Sequence, residues 1–272
     1  MDWAKAKTIL IVALVALNVF LVLSFGVFSK PNAPEEVTGD LTTEMATLLE
    51  SRAIDLKIDL PEAAGAHSIV TVDRIQLSER TINRLIAKEI ALEPDERTEE
   101  NIRAKAQAFL EELGVWNDNT FIAKYEVGGD GSVLLTFGSM VDGIPLELSN
   151  LYCYVSGGKI AVVIGVWMIG HETGETARET IAPVDALLAF TGGVSRSRDA
   201  DGNLVPLHIT KMEMVYHFDS DSMANGLTVS DTAFPYWKFT YIVGSEEESV
   251  SELGAKIAVV TRTLYVPAFR ED

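Results

Sequence analysis

The clearest pattern along the chain is an apolar run without a charge over residues 8–28. As a helix, about 21 residues reach ~32 Å, close to the hydrocarbon thickness of a bilayer. One transmembrane helix is therefore predicted. Residues 31–40 hold Pro31 and Pro34 and few apolar positions, and read as a stalk. A helix is predicted over 41–53, with Leu41, Met45, Leu48 and Leu49 on one face. Strict alternation over 54–60 predicts a half-buried strand that stops at Pro61. A second strand is expected over 68–77. A short helix follows over 79–90, striped by Ile82, Leu85, Ile86 and Ile90.

The longest soluble helix is predicted from Thr98 to Leu113, with Ile102, Ala106, Phe109 and Leu110 at helical spacing and Gly114 as its stop. Beyond it the period changes to β. Strands over 121–127 and 133–137 flank the turn Gly128-Gly129-Asp130-Gly131, and strands over 151–155 and 160–169 flank Ser156-Gly157-Gly158-Lys159. A helix is expected over 181–190, then strands over 207–217, 236–243 and 256–266. Helices separating blocks of antiparallel strands predict an α+β fold rather than alternating βα units.

Charge orients the anchor. Lys5 and Lys7 precede the apolar run, whereas Lys30 is followed by Glu35, Glu36 and Asp40. The positive-inside rule then places the N-terminus in the cytoplasm and the rest of the chain outside the cell membrane. A cleaved signal peptide would carry a shorter apolar core and a small-residue cleavage site. The 272 residues divide into a cytoplasmic stub and anchor (1–30), a stalk with an N-terminal α+β subdomain (31–95), and a C-terminal α+β domain with paired hairpins (96–272). The net charge of −18 argues against nucleic acid as a partner.

Candidate chemistry is sparse. Cys153 is the single cysteine, set in an apolar strand, so it reads as a core residue. His67, His171, His208 and His217 form no metal-binding pair. His208 and His217, nine apart on one strand, are expected on opposite faces. The sequence Asp199-Ala200-Asp201-Gly202-Asn203 suits a turn better than a calcium loop. Glu246, Glu247 and Glu248 read as a solvated loop. No nucleophile elbow or phosphate loop occurs. The expectation is a non-enzymatic ectodomain with no catalytic residue, metal or cofactor.

Three segments carry a family resemblance. Met1-Asp2-Trp3-Ala4-Lys5-Ala6-Lys7-Thr8 runs into a span containing Asn18-Val19-Phe20-Leu21. Asp142-Gly143-Ile144-Pro145 precedes a strand, the turn Gly157-Gly158-Lys159 and a long strand. Pro235-Tyr236-Trp237-Lys238-Phe239 precedes a late strand. Together they resemble the YycI family of membrane-anchored regulators, with the paired-hairpin unit that family shares with YycH. The resemblance implies a single-pass protein that controls the essential sensor histidine kinase WalK (YycG), whose two-component system governs cell-wall metabolism. It implies that a YycH-like sister regulator acts with it, through contacts in and outside the membrane.

The anchor has its own candidate contact. Asn18 is a polar amide near mid-bilayer, and it shares a helix face with Ile11, Leu14, Val15, Leu21, Val22 and Phe25. That face is the expected partner-binding surface within the membrane. The alternative reading of the whole protein is a binding module that holds a lipid or a cell-wall fragment. A deep pocket lined by Phe, Trp and Leu would favour the module. Filled cores with flat exposed patches would favour the regulator.

Overall fold

The computed structural model describes residues 43–219, 229–244 and 261–269. Within them the chain runs α1 (Thr43–Ser51), β1 (Ile54–Leu56), β2 (Ala66–His67), β3 (Val70–Ile75), α2 (Glu79–Lys88), a 3-10 turn (Pro94–Glu96) and α3 (Glu99–Leu113). It continues through β4 (Thr120–Val127), β5 (Val133–Val141), β6 (Ile144–Ser156), β7 (Lys159–Glu172), β8 (Arg178–Glu179) and α4 (Pro183–Gly193). The last described strands are β9 (Leu207–Phe218), β10 (Ser230–Val243) and β11 (Thr261–Pro267). The predicted α+β class is what forms.

Nine described strands make one sheet in the order β1-β9-β10-β3-β7-β6-β5-β4, with β11 on β10. A parallel bridge between Leu146 of β6 and Tyr216 of β9 closes β9, β10, β3, β7 and β6 into a barrel-like ring. The β1–β9 pair is parallel as well, and the remaining pairs are antiparallel. β2 and β8 form a separate ribbon.

Closure depends on bends in β5, β6 and β7. The ladder between β5 and β6 slips after Gly138, and Leu148 in β6 takes a φ of 67°. Two buried hydroxyls replace the lost ladder bonds there. Ser149 Oγ accepts from the Met168 N–H at 3.0 Å, and Ser139 Oγ donates toward the Met168 carbonyl at 2.8 Å. Gly165 of β7 crosses β6 so closely that a Cβ would stand 2.1 Å from the Asn150 carbonyl oxygen.

Two cores result. In the first, Met45 and Leu49 of α1 and Ala186, Leu187 and Phe190 of α4 pack on β9 and β10. Phe190 stacks on Phe239 with centroids 4.6 Å apart, and the buried Trp237 donates Nε1–H to the Ile181 carbonyl at 3.1 Å. In the second, Leu85 of α2 and Ile102, Ala106, Phe109 and Leu110 of α3 cover Phe137, Leu151, Cys153, Ile160 and Trp167. α3 has the ends its sequence specifies: Thr98 Oγ1 accepts from the Asn101 N–H at 3.3 Å, and Gly114 closes the helix with a φ of 81°.

Three local expectations change. β1 stops at Leu56, because its partner β9 bulges at Thr210 and cannot extend the ladder. Ile58 and Leu60 still pack against the first core as irregular chain. α2 ends at Lys88, so Ile90 leaves the predicted stripe and is 82% exposed. The β9 bulge also reverses the inside–outside parity of the strand: Leu207 and Ile209 are buried before it, Met212 and Met214 after it. His208 and His217 therefore project from the same outer face, not from opposite faces.

Candidate functional site

Among the described residues, the hairpin of β6 and β7 brings three exposed large apolar side chains together. Its outer face pairs Tyr152 with Ile164 and Tyr154 with Val162. Tyr152 is 41% exposed, Val162 42% and Ile164 61%. The cause is visible in the sequence Ile160-Ala161-Val162-Val163-Ile164, which is apolar without alternation. Its inward half, Ile160 and Val163, fills the second core. Its outward half has no described element over it. Adjacent exposed apolar side chains on one sheet face make this strip the candidate site.

At one end of the strip lies a cavity of about 520 Å³ lined by Arg74, Ile75, Gln76, Leu77, Gly165, Val166 and Val229. It forms where β3 ends, at the Ile75–Trp167 pair, while β7 continues past it. Arg74 makes no ion pair among the described residues, and its backbone N–H is held by the Val229 carbonyl at 2.8 Å. The walls are aliphatic and polar rather than aromatic.

A second cluster sits on the outer face of β9, β10 and β11. Lys238 Nζ donates to both oxygens of Glu147, at 2.9 and 3.0 Å, with Glu213 at 4.0 Å. His217 stacks on Tyr265 at 4.0 Å and meets the edge of Tyr236 at 5.7 Å. Its buried Nδ1 has no hydrogen-bond partner among the described residues. Burial holds the His217 pKa below its ordinary value. The Lys238–Glu147 pair ties β6 to β10, so the arrangement acts as polar cement between strands.

The other candidates from the sequence are placed separately. Cys153 is fully buried, and burial pushes its thiol up to about 12, so it is an inert core residue. His208 Nδ1 lies 3.3 Å from Asp55, and His171 Nε2 lies 3.5 Å from Asp73. Asp199 Oδ1 accepts from the backbone N–H groups of Asp201 and Asn203, which makes the 199–203 segment the turn its composition suggested. Among the described residues no group of three or more His, Cys, Asp or Glu is placed to hold a metal. None of the described helices is long and apolar enough to cross a membrane. The anchor and its contact face, Ile11, Leu14, Val15, Asn18, Leu21, Val22 and Phe25, lie outside the described residues, as do Glu246, Glu247 and Glu248.

Comparison with known proteins adds little. No protein-family model matches the chain, and no curated protein matches it. A solved structure of an uncharacterized protein from Eubacterium rectale ATCC 33656 is 10% identical, with a TM-score of 0.47. The match covers 78% of this chain and 87% of that one.

Proposed function

We propose that the chain is a membrane-anchored, non-catalytic regulator of a WalK-like sensor histidine kinase, working outside the cytoplasm with a YycH-like sister protein. The carrying observation is the exposed apolar strip of Tyr152, Val162 and Ile164 on a domain with two buried cores. A strip of this kind suits docking between proteins, with charged neighbours setting partner choice. The single helix over 8–28 would tether the domain beside the kinase and bring Asn18 to it.

The ligand-binding alternative draws on the 520 Å³ cavity, a size that suits a small molecule. Its Arg74 and Gln76 fit a polar or anionic group better than an acyl chain.

The deciding experiment is affinity purification of the full-length protein from its native membrane, beside Ile164→Lys and Asn18→Leu variants. The wild type should retain the kinase and the sister regulator. Ile164→Lys should lose one of them, and Asn18→Leu should weaken the kinase contact. Equal retention by all three chains, or recovery of neither partner, would overturn the reading.

A further inference from the structure

β7 is covered unevenly along its two edges. Its first half, Lys159–Val166, pairs with β6 on one side, and its second half, Trp167–Glu172, pairs with β3 on the other. On the β3 side no described strand reaches the residues before Trp167. A bulge at Ala161, where the β6 ladder skips a residue, limits that open edge to Val162–Val166. Five residues is an ordinary strand length. In an antiparallel strand alternate residues turn both backbone groups to the same side; the Met168 N–H turns to Ser149 of β6, so Val163 and Gly165 present N–H and C=O to the open edge. The cavity bounded by Arg74, Gln76 and Leu77 occupies the position that the next residues of β3 would fill had the strand continued.

The charge of the segment that leaves this edge runs against the rest of the chain. Between residues 74 and 88 stand Arg74, Arg80, Arg84 and Lys88 against Glu79 alone, in a protein of net charge −18. None of the four cations makes an ion pair among the described residues. Arg80, Arg84 and Lys88 share one face of α2 by their spacing of four, and α2 begins two residues after Leu77.

The geometry points to strand addition: an extended, acidic segment of a partner protein continues the line of β3 along Val162–Val166. It places alternate apolar side chains beside Val162 and Ile164, and a carboxylate on Arg74 at the cavity. The inference rests on the reading of this face as a docking surface, but not on which partner docks. Main-chain hydrogen bonds supply affinity in this mode, and the pockets for alternate side chains supply specificity. Arg74 at the cavity, with the basic segment that follows it in the chain, selects against further copies of this acidic chain and for an acidic strand.

The test uses the full chain in detergent and a synthetic probe, Glu-Val-Thr-Val-Thr-Val-Glu, read by backbone hydrogen exchange over 160–168. The probe should bind saturably and slow exchange at Val162–Val166. N-methylation of its two threonines, which stand opposite Val163 and Gly165, removes ladder donors and should weaken binding about tenfold or more. Lysine in place of both glutamates, or Arg74→Gln in the protein, should weaken it about threefold or more. Ile164 is exposed, so Ile164→Lys tests the strip without endangering the fold.

Undiminished binding of the N-methylated probe would overturn strand addition in favour of side-chain contact alone. Protection produced by phosphatidylglycerol vesicles and not by the peptide would overturn it in favour of a membrane-facing role. Protection that grows with protein concentration alone would overturn it in favour of self-association. Absence of saturable binding would overturn it outright. If Ile164→Lys loses the kinase during purification while no peptide protects the edge, docking stands and strand addition falls. If the peptide protects the edge while no kinase is recovered, strand addition stands and the kinase reading falls.

Discussion

Gly165 is held by contact as well as by conformation. Its φ of 140° disfavours a side chain, and a Cβ would collide with the Asn150 carbonyl oxygen across the ladder. Gly165→Ala is expected to destabilise the domain by about 2–4 kcal/mol, read as a lowered denaturation midpoint. A change below about 0.5 kcal/mol would show that β6 and β7 can part at that crossing. His217 carries a pH dependence whose sign is fixed. Its pKa is lowered by burial from an ordinary 6.5, so the unfolded chain takes up the proton first as pH falls. Stability should therefore decline as pH drops below about 6.5, and the loss is complete once the folded-state pKa is passed. His217→Phe keeps the ring over Tyr265, removes the unpartnered nitrogen, and should flatten that slope while leaving stability at neutral pH equal or higher. An unchanged slope would assign the pH response to another group.

At the level of elements, the legible parts are those whose signals are local. α3 is marked by Thr98, by apolar residues at helical spacing and by Gly114, and both caps form. Thr98→Ala should cost about 1 kcal/mol in thermal or chemical melts; no loss would mean that tertiary packing alone holds the first turn. The hairpin turns at 128–131 and 156–159 are equally local. The β9 bulge is not, because an extra residue at Thr210 is tolerated only through its pairing with β10, and no spacing rule within β9 reveals it. That one residue shortens β1 and moves His217 to the face of His208. The docking strip does leave a trace in the sequence: the uninterrupted run 160–164 puts apolar side chains on both faces of a strand, yet described helices cover one. Of the cations scattered over 74–88, Arg74 is brought to the end of the strip only because β3 ends there beside β7.

For the whole molecule, the α+β class follows from the change of period along the sequence, whereas ring closure does not. A single bridge between Leu146 and Tyr216, 70 positions apart, has no sequence signature. The proposed membrane anchor has a direct check. A reporter fused at Asp272 should be active only outside the cytoplasm, and cytoplasmic activity would remove the anchored reading. Asn18→Leu should reduce helix association with the kinase's membrane segments by about 0.5–2 kcal/mol in a membrane FRET assay. If replacing residues 8–28 with an unrelated span leaves that association and regulation intact, the helix only tethers.

The two cores differ in how far along the chain their parts are drawn from. The core under α2 and α3 is built from a continuous stretch, Ile75 to Ile169. The core under α1 and α4 joins Met45, Ile54 and Val70 to residues as late as Val266 and Ala268. Loop-closure entropy makes the first cheap to assemble and the second slow. Folding should thus proceed in two stages: amides of α3 and β5–β7 gain protection first, in pulse-labelled refolding, while β1 waits for β9 and the outer edge of β3 waits for β10. For a chain made from its N-terminus, Ile54 has no partner strand until β9, which begins at Leu207, has been synthesised, and β3, paired with β7 by then, lacks its second neighbour until β10 follows from Ser230. The earliest apolar residues of the domain are therefore the last to be shielded, and whatever delivers this chain must keep them apart from other surfaces until β10 arrives.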